Sequence, residues 1–307
     1  AEGSATSHVC IIARNLSVPA VVGLGDALRG VVSGQQLIVD GSSGRVVVEP
    51  DIATLDEYKV RMLNYSALVQ EQQQSAMAEL YNGDERLFVF ANAGSVEDVE
   101  RAIAAGADGI GLFRSEFLYM QSSSEPTEQQ QYEAYASAAR ACNGKPLVIR
   151  TLDIGGDKAV PYLGFAHEEN PFLGWRAIRV SLECREMFCR QLRAILRASA
   201  EGDVRVMFPM VVTLEELQEA KQLLEQCKEE LKSQSIAYNY NIKVGVMIET
   251  PAAVLIADSL AEHCDFFSIG TNDLVQYVMA ADRANAKVSN LYNPYSTAVL
   301  RAIKMVI

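Results

Sequence analysis

The chain has 307 residues, enough for two domains, and 49% of them are apolar against 21% charged, a mixture that belongs to a globular protein and not to a disordered or fibrous one. Its formal net charge of −12 argues against a general affinity for nucleic acid, whose phosphates call for a basic face. No apolar run approaches the ~20 residues of a membrane span, and the opening AEGSATSH has neither the basic stretch nor the apolar core of a signal peptide.

The opening also lacks an initiating Met, so we expect the sequence to start partway through a longer protein. Residues 1–50 are rich in Gly, Val and Ser, with short apolar runs at Ala20–Val22, Gln36–Asp40 and Val46–Glu49 separated by Gly-bearing turns. This predicts a small β-rich unit with one helix near its start. Between Ile52 and Tyr81 there is neither Gly nor Pro, and Glu, Gln, Leu, Met and Ala dominate; residues 51–80 therefore read as a helical linker.

From about residue 84 short apolar strands alternate with longer amphipathic helices. Strands are predicted at Leu87–Ala91, Gly109–Phe113, Pro146–Thr151, Arg205–Met210, Lys243–Ile248 and Phe266–Ile269, and helices at Val96–Ala105, Pro171–Ala200, Leu214–Lys232 and Pro251–Glu262. Repeated βα units give a parallel sheet. Polar or charged residues follow most of the strands: Asn92, Arg114 and Glu116, Arg150 and Asp153, Glu249, then Asn272 and Asp273. A load spread over many strand ends favours an α/β (β/α)8 barrel over an open sheet, which gathers its site at one switch point. Six strands are two βα units short of closure, so the barrel over 81–307 is expected to be incomplete at its C-terminal side. The six cysteines show no CxxC pair and no regular framework, which reads as reduced thiols of a cytoplasmic protein.

Three groups of residues carry chemistry. His8 follows Thr6 and Ser7, either of which can cap a helix; its imidazole would then lie in the first turn, where free N–H groups and the helix dipole favour an anion. It reads either as a nucleophile or as a surface histidine beside a cap. Arg114 and Arg150 end consecutive strands, and two guanidinium forks there make either a clamp for a small dianion or a pair of rim salt bridges. Arg176 and Arg179 could join the clamp but read more as helix surface. Glu249 and Asp273 follow adjacent strands, ~4.8 Å apart in a barrel, and offer two hard oxygen ligands suited to Mg²⁺; as helix N-caps they would have a purely structural role.

These segments resemble the enzyme I group of the phosphoenolpyruvate-utilising enzymes. The likeness is carried by Gly3–Arg14 (GSATSHVCIIAR), Val18–Gly23, Gly109–Met120 (GIGLFRSEFLYM), Val148–Lys158 (VIRTLDIGGDK) and Asn170–Arg179 (NPFLGWRAIR). Gln191–Ser199, Val244–Ala253 (VGVMIETPAA) and Phe266–Leu274 (FFSIGTNDL) extend it over nearly the whole chain. The resemblance implies a partial phosphohistidine swivelling domain at 1–50 and a phosphoenolpyruvate-binding TIM-type barrel at 81–307. It implies that His8 takes the phosphoryl group of phosphoenolpyruvate and passes it to a histidine phosphocarrier protein, the first step of sugar phosphotransfer. Arg114, Arg150, Asn272 and Arg283 would bind phosphoenolpyruvate, Glu249 and Asp273 would hold Mg²⁺, and the barrel would mediate a homodimer.

Several features depart from the family pattern. Ser4 stands where the family has a second Gly, and Tyr292–Thr297 (YNPYST) differs from the usual Tyr-x-Pro-x-His-Pro. The carrier-docking domain and the later Gly-x-Cys-Gly-Glu motif, with its general-acid cysteine, do not occur in the sequence, so weak turnover is expected of this chain by itself. A pyruvate phosphate dikinase or phosphoenolpyruvate synthase shares the His, Arg-x-Glu and Gly-Thr-Asn-Asp motifs, while Thr151–Lys158 (TLDIGGDK) is more characteristic of enzyme I. A non-catalytic phosphoenolpyruvate sensor is the rival from outside enzymology.

Overall fold

A computed structural model describes residues 13, 18–76, 78–155, 160, 162, 164, 167–283, 285 and 287–307. The chain forms two compact units, Ala1–Ser75 and Ala76–Ile307.

In the first unit Leu37–Asp40 (β1) and Arg45–Val48 (β2) pair antiparallel, Leu37 opposite Val48 and Asp40 opposite Arg45. Asp40 builds the turn between them. Its carboxylate accepts from the hydroxyls and amides of Ser42 and Ser43, and these bonds, the Ser42 hydroxyl first, hold it well below the usual carboxylate range. Helix α1, Ile52–Ala76, begins where Asp51 accepts from the Thr54 amide at 2.7 Å. It is a solvated helix: Met62, Leu63 and Tyr65 are exposed, and the pairs Asp56–Lys59 and Glu57–Arg61 sit at helical spacing along its surface.

The second unit opens with a hairpin of Leu80–Asn82 (β3) and Glu85–Leu87 (β4). Phe90–Ala93 (β5), Gly109–Arg114 (β6), Leu147–Arg150 (β7), Val204–Phe208 (β8), Lys243–Ile248 (β9) and Phe266–Ile269 (β10) then form one parallel sheet of six strands in strict chain order. Parallel crossovers share one hand, so a chain that always steps to the same side lays all its helices on one face. A doubly wound sheet would reverse direction instead. The result is a curled half-barrel, and the strand order agrees with the sequence reading of a barrel-type α/β unit.

Alternation along the strands divides the two faces. Ile110, Ile149, Val206 and Val246 point outward and are fully buried with Leu192, Ile195 and Leu224 of the covering helices. Each such side chain contributes on the order of 1.5–3 kcal/mol. Val148, Met207 and Met247 point the other way and form a separate inner cluster with Leu112 and Phe266. Gly245 lies in that inner face, where a Cβ would stand 2.3 Å from the Phe266 ring; only glycine lets β9 and β10 approach there.

The covering helices are Val96–Ala104 (α2), Glu116–Met120 (α3), Glu128–Ala141 (α4), Ile178–Glu183 (α5), Arg185–Ala198 (α6), Leu214–Ser233 (α7), Pro251–Leu255 (α8), Ala257–Ala261 (α9), Thr271–Met279 (α10) and Thr297–Val306 (α11). Thr127 and Thr213 start α4 and α7 with capping boxes to Gln130 and Glu216. Two predicted helices are broken. Pro171–Ala200 resolves into a 3-10 turn at Pro171–Leu173, then α5 and α6, because the Ala177 amide donates to Ile154 O at 3.0 Å and the residue takes φ 53°, ψ −123°. Pro251–Glu262 divides at Ile256, whose φ of −114° and ψ of 20° leave the helical range.

Candidate active site

The C-terminal strand ends gather the residues singled out by their sequence positions. Arg114 closes β6 and Arg150 closes β7, and the two are direct partners in the strand register. Glu249 follows β9 and Asp273 lies in the first turn of α10, directly after β10; both are buried. Asn272 is exposed beside Asp273, its carbonyl and side-chain oxygens accepting from Tyr292 Oη at 3.2 and 3.4 Å. Arg283 follows α10 and is half-buried, with Nη1 3.8 Å from Asp273 Oδ1. His8 lies outside the described residues.

A buried ionic chain links these positions. Arg150 Nη2 donates to Glu116 Oε1 at 2.6 Å and lies 3.0 Å from Asp153 Oδ2. The other Asp153 oxygen accepts from Arg176 Nη2 at 3.0 Å, and Arg176 Nη1 reaches Asp273 Oδ1 at 3.4 Å and Tyr277 Oη at 3.2 Å. Arg283 extends the chain from Asp273. The half-barrel's curl brings non-neighbouring strands into contact: Arg150 Nη1 of β7 points at Met247 Sδ of β9, 3.7 Å away.

Arg176 corrects the sequence reading. It is not helix surface but 3% exposed at the centre of the chain, turned inward by the Ala177 backbone that breaks the predicted helix. The clue available beforehand was Asn170-Pro171 and Gly174, helix-interrupting residues immediately upstream. Arg179 stays apart, donating to Leu173 O and Gly174 O at 2.9 and 2.7 Å, and so secures the turn. Glu116 and Asp153 were visible only as polar residues after strands; they are the acids between the arginines.

The cations are incompletely satisfied. Nε of Arg150 and Nε of Arg176 are buried and make no hydrogen bond among the described residues. Arg114 is half-buried and has no acidic partner among the described residues. Burial by itself would lower the basicity of Arg150 and Arg176, but Asp153 first, then Glu116 and Asp273 respectively, hold both above their ordinary values. Both stay charged. Buried cations with an N–H donor unused retain the capacity to bond an anion.

Glu249 faces the opposite problem. Its Oε1 accepts from the Met210 amide at 2.7 Å, and Met210 takes a left-handed φ of 57° to present that amide. Gly270 closes over the other oxygen: a Cβ there would sit 2.6 Å from Glu249 Oε2. Burial, then the Asp153 and Asp273 charges, push the Glu249 carboxyl up to about 8, against the opposing pull of Arg150. Carboxyls crowded in this way are relieved by a cation. Among the described residues no set of three or more His, Cys, Asp or Glu side chains is arranged to hold a metal alone. Glu249 and Asp273 offer two oxygen ligands, and further ones would have to come from substrate and water. Among the described residues no helix is long and apolar enough to cross a membrane.

Comparison with known proteins agrees with this geometry. Residues 68–307 match a family model described as the PEP-binding domain of PEP-utilising enzymes, and residues 1–44 match that of the mobile domain of the same enzymes. The chain is 49% identical over 306 residues to a phosphoenolpyruvate-protein phosphotransferase of Bacillus sp. (strain S) and equally to that of Geobacillus stearothermophilus, covering 99% of this chain and 53% of each relative. The protein of that name from Bacillus subtilis (strain 168) is 46% identical over 311 residues, again across 99% of this chain and 54% of the relative. The chain thus spans about half the length of the curated relatives it matches. A parallel half-barrel whose strand ends gather arginines and carboxylates, matched over residues 68–307 by the PEP-binding domain, places this chain in the family of PEP-utilising enzymes.

Proposed function

We propose that the chain supplies the phosphoenolpyruvate-binding and phosphohistidine parts of a phosphoenolpyruvate–protein phosphotransferase, acting in the cytoplasm at the head of a sugar phosphotransfer relay. The observation that carries this reading is the strand-end cluster itself: buried guanidinium groups with unused donors beside two buried carboxylates. In this reading the sheet belongs to a (β/α)8 barrel, residues 1–50 to a swivelling domain that bears His8, and residues 51–80 to the arm of the swing.

Arg114 and Arg150 take the phosphate in a bidentate clamp, with Arg283 and Asn272 completing the substrate's contacts. Glu249 and Asp273 would hold Mg²⁺, a hard cation that suits a pair of carboxylate oxygens. When bound, Mg²⁺ adds positive charge beside the phosphate oxygens. The arginines stabilise the charge that spreads over the transferring phosphoryl group. The neutral His8 imidazole attacks phosphorus in line; the N–P bond forms as the P–O bond to the enolate breaks, and the enolate leaves to be protonated to pyruvate. Phospho-His8 then donates to a histidine of a phosphocarrier protein, and the barrel unit mediates a homodimer.

Incubating the full-length protein that contains this sequence with phosphoenolpyruvate labelled in its phosphate, in the presence of Mg²⁺, should place acid-labile label on His8 and release pyruvate. Undiminished labelling of a His8→Ala protein would refute the assignment. Phosphoenolpyruvate binding without pyruvate release would favour a sensor.

A further inference from the structure

Behind the arginine clamp runs a second, uncharged network that the reaction does not call on. Its centre is Gln191, on α6 and 1% exposed. Gln191 Oε1 accepts from the Leu152 amide at 2.9 Å, while Nε2 donates to Ser115 Oγ at 3.0 Å and to Tyr135 Oη at 3.1 Å. A backbone amide can only donate, so the Leu152 bond fixes which end of the Gln191 amide is oxygen. Tyr135 Oη passes the polarity on to Gln131 Oε1 at 3.3 Å, Tyr119 Oη donates to the same oxygen at 3.3 Å, and Gln131 Nε2 donates to Pro126 O at 3.0 Å. Ser115, Tyr119, Gln131 and Tyr135 are all fully buried.

The two anchors that matter are the Ser115 hydroxyl and the Leu152 amide. Ser115 lies between Arg114 and Glu116, and Leu152 lies between Arg150 and Asp153. The last register pair of β6 and β7 is Arg114 with Arg150, while the Thr151 amide continues the ladder on the other side, to Met207 O of β8. One buried amide therefore ties the segment after β6 to the segment after β7 just where the β6–β7 ladder stops. A leucine or methionine would suit the apolar side of α6 without the cost of desolvating an amide. A core glutamine whose Nε2 hydrogens go to Ser115 and Tyr135 and whose oxygen takes the Leu152 amide serves geometry.

We infer that Gln191 is a positioning residue: it touches no reacting group but sets the spacing and orientation of the Arg114 and Arg150 strand ends, and so the anion affinity of the clamp. This rests on the reading of the clamp as the phosphoenolpyruvate site.

The test is calorimetric titration of the full-length protein that contains this sequence with phosphoenolpyruvate in the presence of Mg²⁺, alongside thermal unfolding, for the wild type, Gln191→Leu, Ser115→Ala, Arg114→Lys and the Gln191→Leu/Arg114→Lys pair. A displacement of about an ångström at a positioned group costs up to about 100-fold, so Gln191→Leu should weaken binding roughly 10- to 100-fold, and Ser115→Ala should weaken it less. In the Arg114→Lys background the Gln191→Leu loss should largely vanish, because the geometry it protects is already spoiled. A general loss of stability would give the same fold-loss in both backgrounds, and that result overturns the inference. Wild-type affinity in a folded Gln191→Leu chain overturns it too, while weakened Arg114→Lys leaves the site reading standing. If Gln191→Leu does not fold, unchanged affinity in Ser115→Ala has the same force. A wild-type full-length protein that takes up no phosphoenolpyruvate removes the site reading, and this inference with it.

Discussion

Replacing Arg176 by methionine tests the ionic chain at its middle link. The side chain is 3% exposed and serves two acids, Asp153 at 3.0 Å and Asp273 at 3.4 Å. Deleting one member of a buried pair typically costs about 3–5 kcal/mol, because the remaining charge is left without compensation. Here Asp153 keeps Arg150 at 3.0 Å, and among the described residues Asp273 keeps the more distant Arg283 at 3.8 Å. The cost should therefore fall somewhat lower, at about 2–4 kcal/mol. For a unit of this size each kcal/mol moves the midpoint about 2–4 °C, so the variant should melt roughly 5–15 °C below wild type. Calorimetric melting of the chain, with urea unfolding for the free energy, supplies the number. The companion experiment is Asp153→Asn in the Arg176→Met background, which removes one stranded charge and should recover part of the loss. An Arg176→Met chain within about 0.5 kcal/mol of wild type would show that these contacts carry no energy, and the reasoning would fall.

Other perturbations probe separate links. Gly245→Ala places a methyl against the Phe266 ring and should cost about 1–3 kcal/mol of unfolding free energy, partly regained by Phe266→Leu; a neutral Gly245→Ala contradicts the close approach of β9 and β10. Thr213→Ala removes the capping box of α7 and should cost about 1 kcal/mol in urea unfolding, whereas an unchanged midpoint would deny the cap any role. Glu249 has a carboxyl raised from 4.5 to about 8, so without added divalent cation the folded protein keeps a proton that the unfolded chain releases. Its presence makes stability fall as pH rises from about 4.5 to about 8; Glu249→Gln should flatten that slope, and identical pH profiles for the two proteins would rule the effect out.

Much of the second unit was readable because its signals are local. Apolar runs bounded by Gly, Asp or Pro mark β6 to β10, and the order of charged residues after them points to strand ends. The β3–β4 hairpin escaped notice because Leu80–Asn82 and Glu85–Leu87 are only three residues each and abut a long helical composition. Where the backbone breaks for a distant reason, local pattern misled. Ala177 leaves the helix because its amide bonds to Ile154, and Arg176 meets Asp273 across a separation of 97 residues. Neither pairing leaves a trace in periodicity. Asp153 and Glu116 were conspicuous as polar residues after strands, but their partners emerge only once β6 pairs with β7 and the backbone at Ala177 turns Arg176 inward. Gln191 stood out only as the first residue of the Gln191–Ser199 likeness, and nothing marked it as buried, since a glutamine on a helix usually faces water.

The central claim is that the strand-end arginines and the two carboxylates form a single pocket for phosphoenolpyruvate and a divalent cation. A crystal structure of this chain grown with phosphoenolpyruvate and Mg²⁺ tests it most directly. The account predicts phosphate oxygens against Arg114 and Arg150, with a metal ion bridging the ligand to Glu249 and Asp273. Phosphoenolpyruvate bound on another surface, or a metal held away from both carboxylates, would contradict it.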